Sequence, residues 1–110
     1  MRIALTVKGA GLGAWLDDDF ANCMQVMIVD DANHFKSWMN PNQGGDDSSA
    51  LLLAESIIKE NVDVLVTNHA PQFVKNFFDS NGVKLVTKNG GTVFTIIEEV
   101  REGLGDQLQK

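Results

Sequence analysis

Apolar positions along this chain fall into short, nearly unbroken runs and longer stretches with a period of three to four. Ile3 to Val7 is a short β-branched run that ends in Gly9, Gly11 and Gly13, which predicts a first strand. Met24 to Val29 is almost wholly apolar, the pattern of a strand buried on both faces. Asp30-Asp31-Ala32-Asn33 has turn chemistry and His34 to Met39 reads as a third strand, so the short link predicts an antiparallel hairpin. Past the polar, glycine-bearing stretch 41–49 the longer period begins. Ala50, Leu51, Leu53, Ala54, Ile57 and Ile58 fall on one face of a helix, with Asp47 or Ser48 placed to cap it and Asn61 to close it. Val62 to Val66 is a fourth strand. Pro71 suits the first turn of a second helix, whose stripe is Phe73, Val74, Phe77 and Phe78 and whose end is Asn81-Gly82. Val83 to Val86 is a fifth strand. A last helix starts near Thr92 with Val93, Ile96, Ile97 and Val100 inward, and Gly103 and Gly105 are placed to stop it.

The predicted order is β-β-β-α-β-α-β-α, a meander followed by strand–helix crossovers. One five-stranded mixed sheet with helices packed against it satisfies that order, an α/β fold. The loop after the first strand is long, and Trp15 and Leu16 are its expected anchors. The order also fits a ribonuclease H-like layout. Nuclease chemistry in that layout needs carboxylates on central strands to hold metal ions. Here the first strand has none and the fourth has only Asp63 at its start, which argues against a nuclease.

Composition narrows the function classes. At 110 residues, with 44% apolar content, the chain is expected to be one domain, 1–110, able to bury a core without a disulfide or a structural metal. Any metal would then be cargo. Lys and Arg total 9 against 15 acids, a net charge of −6 with no basic run, so nucleic acid is not an expected partner. Asp17-Asp18-Asp19 and Asp46-Asp47 read as solvated loops more readily than as cation sites. The lone Cys23 cannot form an internal disulfide, the apolar run at the N-terminus is too short for a signal sequence, and no later run has membrane length. A cytoplasmic protein is expected.

In an open α/β sheet ligands gather at the carboxyl ends of parallel strands. Three loops are expected there, 8–22, 67–71 and 87–91, and they carry Asp19, Asn22, Cys23, Asn68, His69, Gly90 and Gly91 as candidate binding residues. Cys23 and His69 are the candidate metal ligands, since thiolate and imidazole suit zinc, copper and iron–sulfur species. Each has a plainer reading, Cys23 as a small core residue and His69 as loop filler. His34, beside the hairpin turn, reads as an exposed strand-edge residue. Gly90-Gly91-Thr92 offers exposed amides at a helix start, an arrangement that binds anions, or else a tight turn capped by Thr92. Gly9-Ala10-Gly11-Leu12-Gly13 lacks the spacing of a dinucleotide loop and has no helix after it. No hydrolase or dithiol motif is present.

Taken in order, these segments resemble the dinitrogenase iron-molybdenum cofactor biosynthesis family of nitrogenase accessory and cofactor-carrier domains. The likeness runs from Met1-Arg2-Ile3-Ala4 to Gly103-Leu104. It rests on Arg2 to Val7, on Asp19-Phe20-Ala21-Asn22-Cys23 leading to a strand that ends Ile28-Val29-Asp30, and on Asn61 to Val66, Gly82 to Leu85 and Gly91 to Val93. Where the family often has His, Gly and Arg, this chain has Asp19, Ala21 and Asn22, and the family's glycine turn is Asn68-His69-Ala70-Pro71. Cys23 falls where the family often has Cys. The resemblance implies a ribonuclease H-like three-layer fold without nuclease activity. It also implies a non-catalytic role binding or carrying an iron–sulfur or iron–molybdenum cluster, or a cofactor precursor, between cluster-delivery proteins. The alternative left by the residues is a regulator or small enzyme that binds an anionic metabolite at the Gly90-Gly91 helix start.

Overall fold

The computed structural model describes residues 1–41, 43 and 46–108, with the side chains of 104–108 excepted. Its elements follow the predicted order: β1 (Ile3–Val7), β2 (Gln25–Val29), β3 (Phe35–Met39), α1 (Asp47–Ile58), β4 (Val64–Thr67), α2 (Gln72–Ser80), β5 (Lys84–Thr87) and α3 (Val93–Leu108). The five strands form one sheet in the order β3-β2-β1-β4-β5. β1 is central, antiparallel to β2 and parallel to β4, while β2–β3 is the expected hairpin and β4–β5 is parallel.

Side chains alternate across the sheet and sort the core into two layers. Ala4, Val26, Ile28 and Leu65 face α1 and α2, meeting Leu53, Ile57, Val74 and Phe78. Ile3, Leu5, Val7, Met27, Val29, Val64 and Val66 face α3, meeting Val93, Ile96, Ile97 and Val100. β2 is buried on both faces, as its composition predicts, because helices lie on each side of it. The result is a three-layer α/β/α arrangement of the ribonuclease H-like kind.

Several boundaries differ from the pattern, each for a local reason. α1 is capped by Asp46, one residue before the expected caps, with its carboxylate accepting the Ser49 amide at 2.7 Å. That bond holds the Asp46 carboxyl below its usual range. Asn61 closes the helix region in the left-handed conformation (φ 56°), and Pro71 stands as the cap of α2 instead of inside it. α3 does not stop at Gly103 but runs on to Leu108. Glycine ends a helix when it takes positive φ, and Gly103 does not. In the β2–β3 turn, Asp30 accepts the amides of Ala32 and His34, and Arg101 reaches over from α3 to the Asp30 carbonyl and the Asn33 side chain. Among the described residues, no helix is long and apolar enough to cross a membrane.

Candidate functional site

The loop after β1 returns across the carboxyl end of the sheet, and two apolar side chains fix its path. Leu16 bridges to Val7 and enters the α3 side of the core, whereas Phe20 enters the opposite side and packs edge-on against Phe78. The loop thus straddles the sheet. Trp15, the other expected anchor, is 59% exposed instead. Its carbonyl accepts the Lys8 amide, and with Leu16 turned into the core its neighbour Trp15 projects outward, as alternation along an extended segment requires.

Main-chain bonds tie this loop to the other two. The Phe20 amide donates to the His69 carbonyl at 2.8 Å, the His69 amide to the Asp18 carbonyl at 3.4 Å, and the Leu16 amide to the Gly91 carbonyl at 2.9 Å. The Asn68 side chain spans to the Asn89 carbonyl at 3.5 Å. The three loops therefore meet along one rim, as the strand order predicts. An open cavity of about 580 Å³ lies on it, bounded by Lys8, Trp15 and Asp18 on one side and Asn89 and Gly90 on the other.

The acids of the loop have structural work. Asp17 accepts the amides of Asp18 and Met24, Asp19 accepts both the amide and the side-chain amide of Asn22, and Asp18 pairs with Lys8 at 3.3 Å. Asp19 and Asn22 thus satisfy one another and shape the turn that leads to Cys23.

Cys23 is not on the rim. It has no exposed surface and sits in the core beneath α1 with Phe20, Ala21 and Val26. Asn40, itself buried, donates to the Ala21 and Cys23 carbonyls at 3.1 and 3.0 Å and lies 3.8 Å from the Cys23 sulfur. Burial, and then the Asp17 carboxylate, push the thiol up to about 12. A thiol held in its protonated form and closed to solvent is not poised to ligate metal. The expected meeting of Cys23 sulfur and His69 imidazole on a shared guest is absent from this conformation, because the turn at Ala21–Asn22, held by Asp19, returns Cys23 to the same core cluster as Phe20. His69 is exposed, and its main chain alone is tied down.

The Gly90-Gly91 helix start is partly committed, and Gly90 lines the rim cavity. Gly91 has φ 117°, and the first amides of α3 are already taken: Val93 donates to the Ala14 carbonyl at 2.8 Å, Phe94 to the Leu12 carbonyl at 3.0 Å, and Thr95 to the Thr92 hydroxyl at 3.4 Å. Two of the first helical amides are thus spent on the first loop, which leaves those of Gly90 and Gly91 as the candidate donors. α2, by contrast, has no side-chain cap.

Lys8, Trp15, Asp18 and Asn89 line the cavity but are not among the binding residues that the sequence suggests, where Trp15 reads as an anchor and Asp18 as part of a solvated acidic run. The available signal was position, since Lys8 is the first residue after the central strand and the one cation of residues 8–24. Among the described residues no group of three or more His, Cys, Asp or Glu is arranged to hold a metal ion.

The fold recurs in solved structures. The apo form of the orange protein from Desulfovibrio gigas matches with a TM-score of 0.85 and 24% identity, over 93% of this chain and 88% of that one. A putative NifB protein from Thermotoga, assigned to the DUF35 family, matches with a TM-score of 0.75 and 23% identity, over 93% and 88% of the two chains. No curated protein matches the chain in sequence. The family model described as dinitrogenase iron-molybdenum cofactor matches residues 1–103, nearly the whole length. This chain belongs to the dinitrogenase iron-molybdenum cofactor family.

Proposed function

We propose that this chain is a non-catalytic carrier that takes an iron–sulfur or iron–molybdenum cluster, or a precursor of one, as cargo on the strand-end rim and passes it between delivery proteins. The observation that carries this reading is the meeting of three loops beside an open cavity lined by Lys8 and Asp18, with the exposed His69 tied to Asp18 through a main-chain hydrogen bond. Imidazole and carboxylate are competent ligands for iron, and an ammonium group offsets the negative charge of a sulfide cluster. Two exchangeable side chains hold cargo less firmly than a closed four-ligand cage, which suits a protein that must release it. Cys23 serves this reading as a core residue. Membership of the family supports the class of cargo.

The metabolite reading keeps only the Gly90 and Gly91 amides as donors, because those of Val93 and Phe94 already have partners in the first loop.

The test is anaerobic incubation with ferrous iron and sulfide, or with isolated iron–molybdenum cluster, followed by gel filtration and visible spectroscopy. Coloured cluster should travel with the protein. A His69→Ala/Lys8→Glu variant should lose it, whereas Cys23→Ala should keep it. Wild-type protein that stays colourless with every cluster source would overturn the proposal, and loss of colour in Cys23→Ala alone would move the ligand into the core.

A further inference from the structure

β5 closes one side of the sheet, so half of its main-chain groups have no strand to pair with. Which half is fixed by phase. The Lys84 amide donates to the Asp63 carbonyl at 3.0 Å and the Lys88 amide to the Thr67 carbonyl at 3.0 Å. In a parallel ladder alternate residues bond to the same neighbour, so Lys84, Val86 and Lys88 turn toward β4. Leu85 and Thr87 turn their N–H and C=O groups outward.

Those same two residues line an open groove of about 410 Å³ between β5 and α2. Lys75 and Asn76 form its helical wall, Lys84 lies at the strand, and Asp79 is its one acid. Lys75 and Lys84 take part in no ion pair among the described residues. A chain with net charge −6 thus keeps two uncommitted cations along an unpaired strand edge, Lys75 on the α2 wall of the groove and Lys84, in register with Val64, on the opposite face of β5.

We propose that this groove binds an extended, acidic peptide segment of a partner protein, which adds to β5 as a further strand. An edge strand flanked by a helix recognises extended peptides in this way, with main-chain bonds supplying attraction and side chains supplying choice. The outward amides of Leu85 and Thr87 set the register, and Lys75 selects carboxylates on the groove side of the added strand while Lys84 does so on its other face. The same lysines disfavour a second copy of the chain, since pairing β5 with β5 would bring like charges together across the edge. The groove shares no lining residue with the rim cavity, and the proposal stands independently of the cargo reading.

The experiment uses a blocked octapeptide of alternating glutamate and valine, titrated into isotope-labelled protein and followed by NMR. Saturable shifts should centre on residues 72–79 and 84–87, and hydrogen exchange should slow at the Leu85 and Thr87 amides. A peptide N-methylated at alternate positions should not bind, nor should its lysine–valine counterpart. A Lys75→Glu/Lys84→Glu variant with unchanged circular dichroism should bind at least about tenfold more weakly, a loss of roughly 1.4 kcal/mol. The proposal fails if millimolar peptide gives no saturable shift, if the lysine peptide binds equally well, or if the shifts centre on the rim or on β3. Sedimentation showing a dimer that protects Leu85 without peptide would also overturn it, by assigning the edge to a second copy.

Discussion

Replacing Cys23 with alanine and comparing the two proteins across pH tests whether this thiol is a core group or a rim ligand. Burial raises the thiol from its ordinary value of 9.0 to about 12 in the folded state. Below pH 9 both the folded and the unfolded chain keep the proton, so pH has no leverage through this group. Above pH 9 the unfolded thiol ionises while the folded one does not, so the unfolded state is favoured and stability falls as pH rises toward 12. At pH 10 the loss from this one group is about 1.4 kcal/mol. For a chain of 110 residues the unfolding entropy is roughly 0.23 kcal/mol/K, so that loss lowers Tm by roughly 6 °C. The assay is thermal or urea unfolding of wild type and Cys23→Ala at pH 7.5 and pH 10 under reducing conditions. Lysine titration is common to both proteins and cancels in the comparison, and the chain has no tyrosine to complicate it. Wild type should lose about 1.4 kcal/mol more than the variant between the two pH values. Parallel losses would refute the buried thiol, as would native-state reaction with a thiol reagent at the rate seen in denaturant.

Two further substitutions probe how the rim is supported. Thr6 and Thr67 are fully buried at the ends of β1 and β4 with their hydroxyls 2.7 Å apart, so Thr6→Val leaves a buried hydroxyl unpaired and should cost about 1–3 kcal/mol in urea unfolding. Adding Thr67→Val should recover much of that loss, and simple additivity of the two would contradict the pairing. Gly91→Ala should cost about 1–3 kcal/mol, because at φ 117° the backbone strain dominates while its Cβ would meet Ile96 at an ordinary 3.5 Å. Gly90→Ala, with open space around it and no positive φ, should stay within about 0.5 kcal/mol of wild type.

Element order and helical periodicity were legible in the chain because they are local. The unbroken apolar run Ile3–Val7 is buried throughout, and the period near 3.6 through Ala50–Ile58 puts Ala50, Leu53, Ala54 and Ile57 on the buried face, although Leu51 lies outside it. Helix ends were less legible. Gly103 carries the composition of a stop, yet α3 runs through it, since a glycine permits positive φ without demanding it. The rim itself was legible as a place, because strand order dictates where the carboxyl ends gather. Its membership was not, since which of two neighbouring loop residues turns inward depends on anchors contributed from both faces of the sheet.

The sequence alone determined an α/β sheet in the order of elements observed, the two-sided burial of its second strand, and the loops that carry the candidate chemistry, since these follow from composition, periodicity and turn chemistry along the chain. Tertiary structure alone decided that Leu16 and Phe20 pin the first loop to opposite sides of the sheet, that Cys23 is drawn into the core while Lys8, Asp18 and His69 stay at the surface, and that the Val93 and Phe94 amides at the start of α3 are occupied. The physical reason is that burial and hydrogen-bond pairing are properties of neighbours in space, and the carbonyls of Leu12 and Ala14 come from a segment some eighty residues from the amides they satisfy.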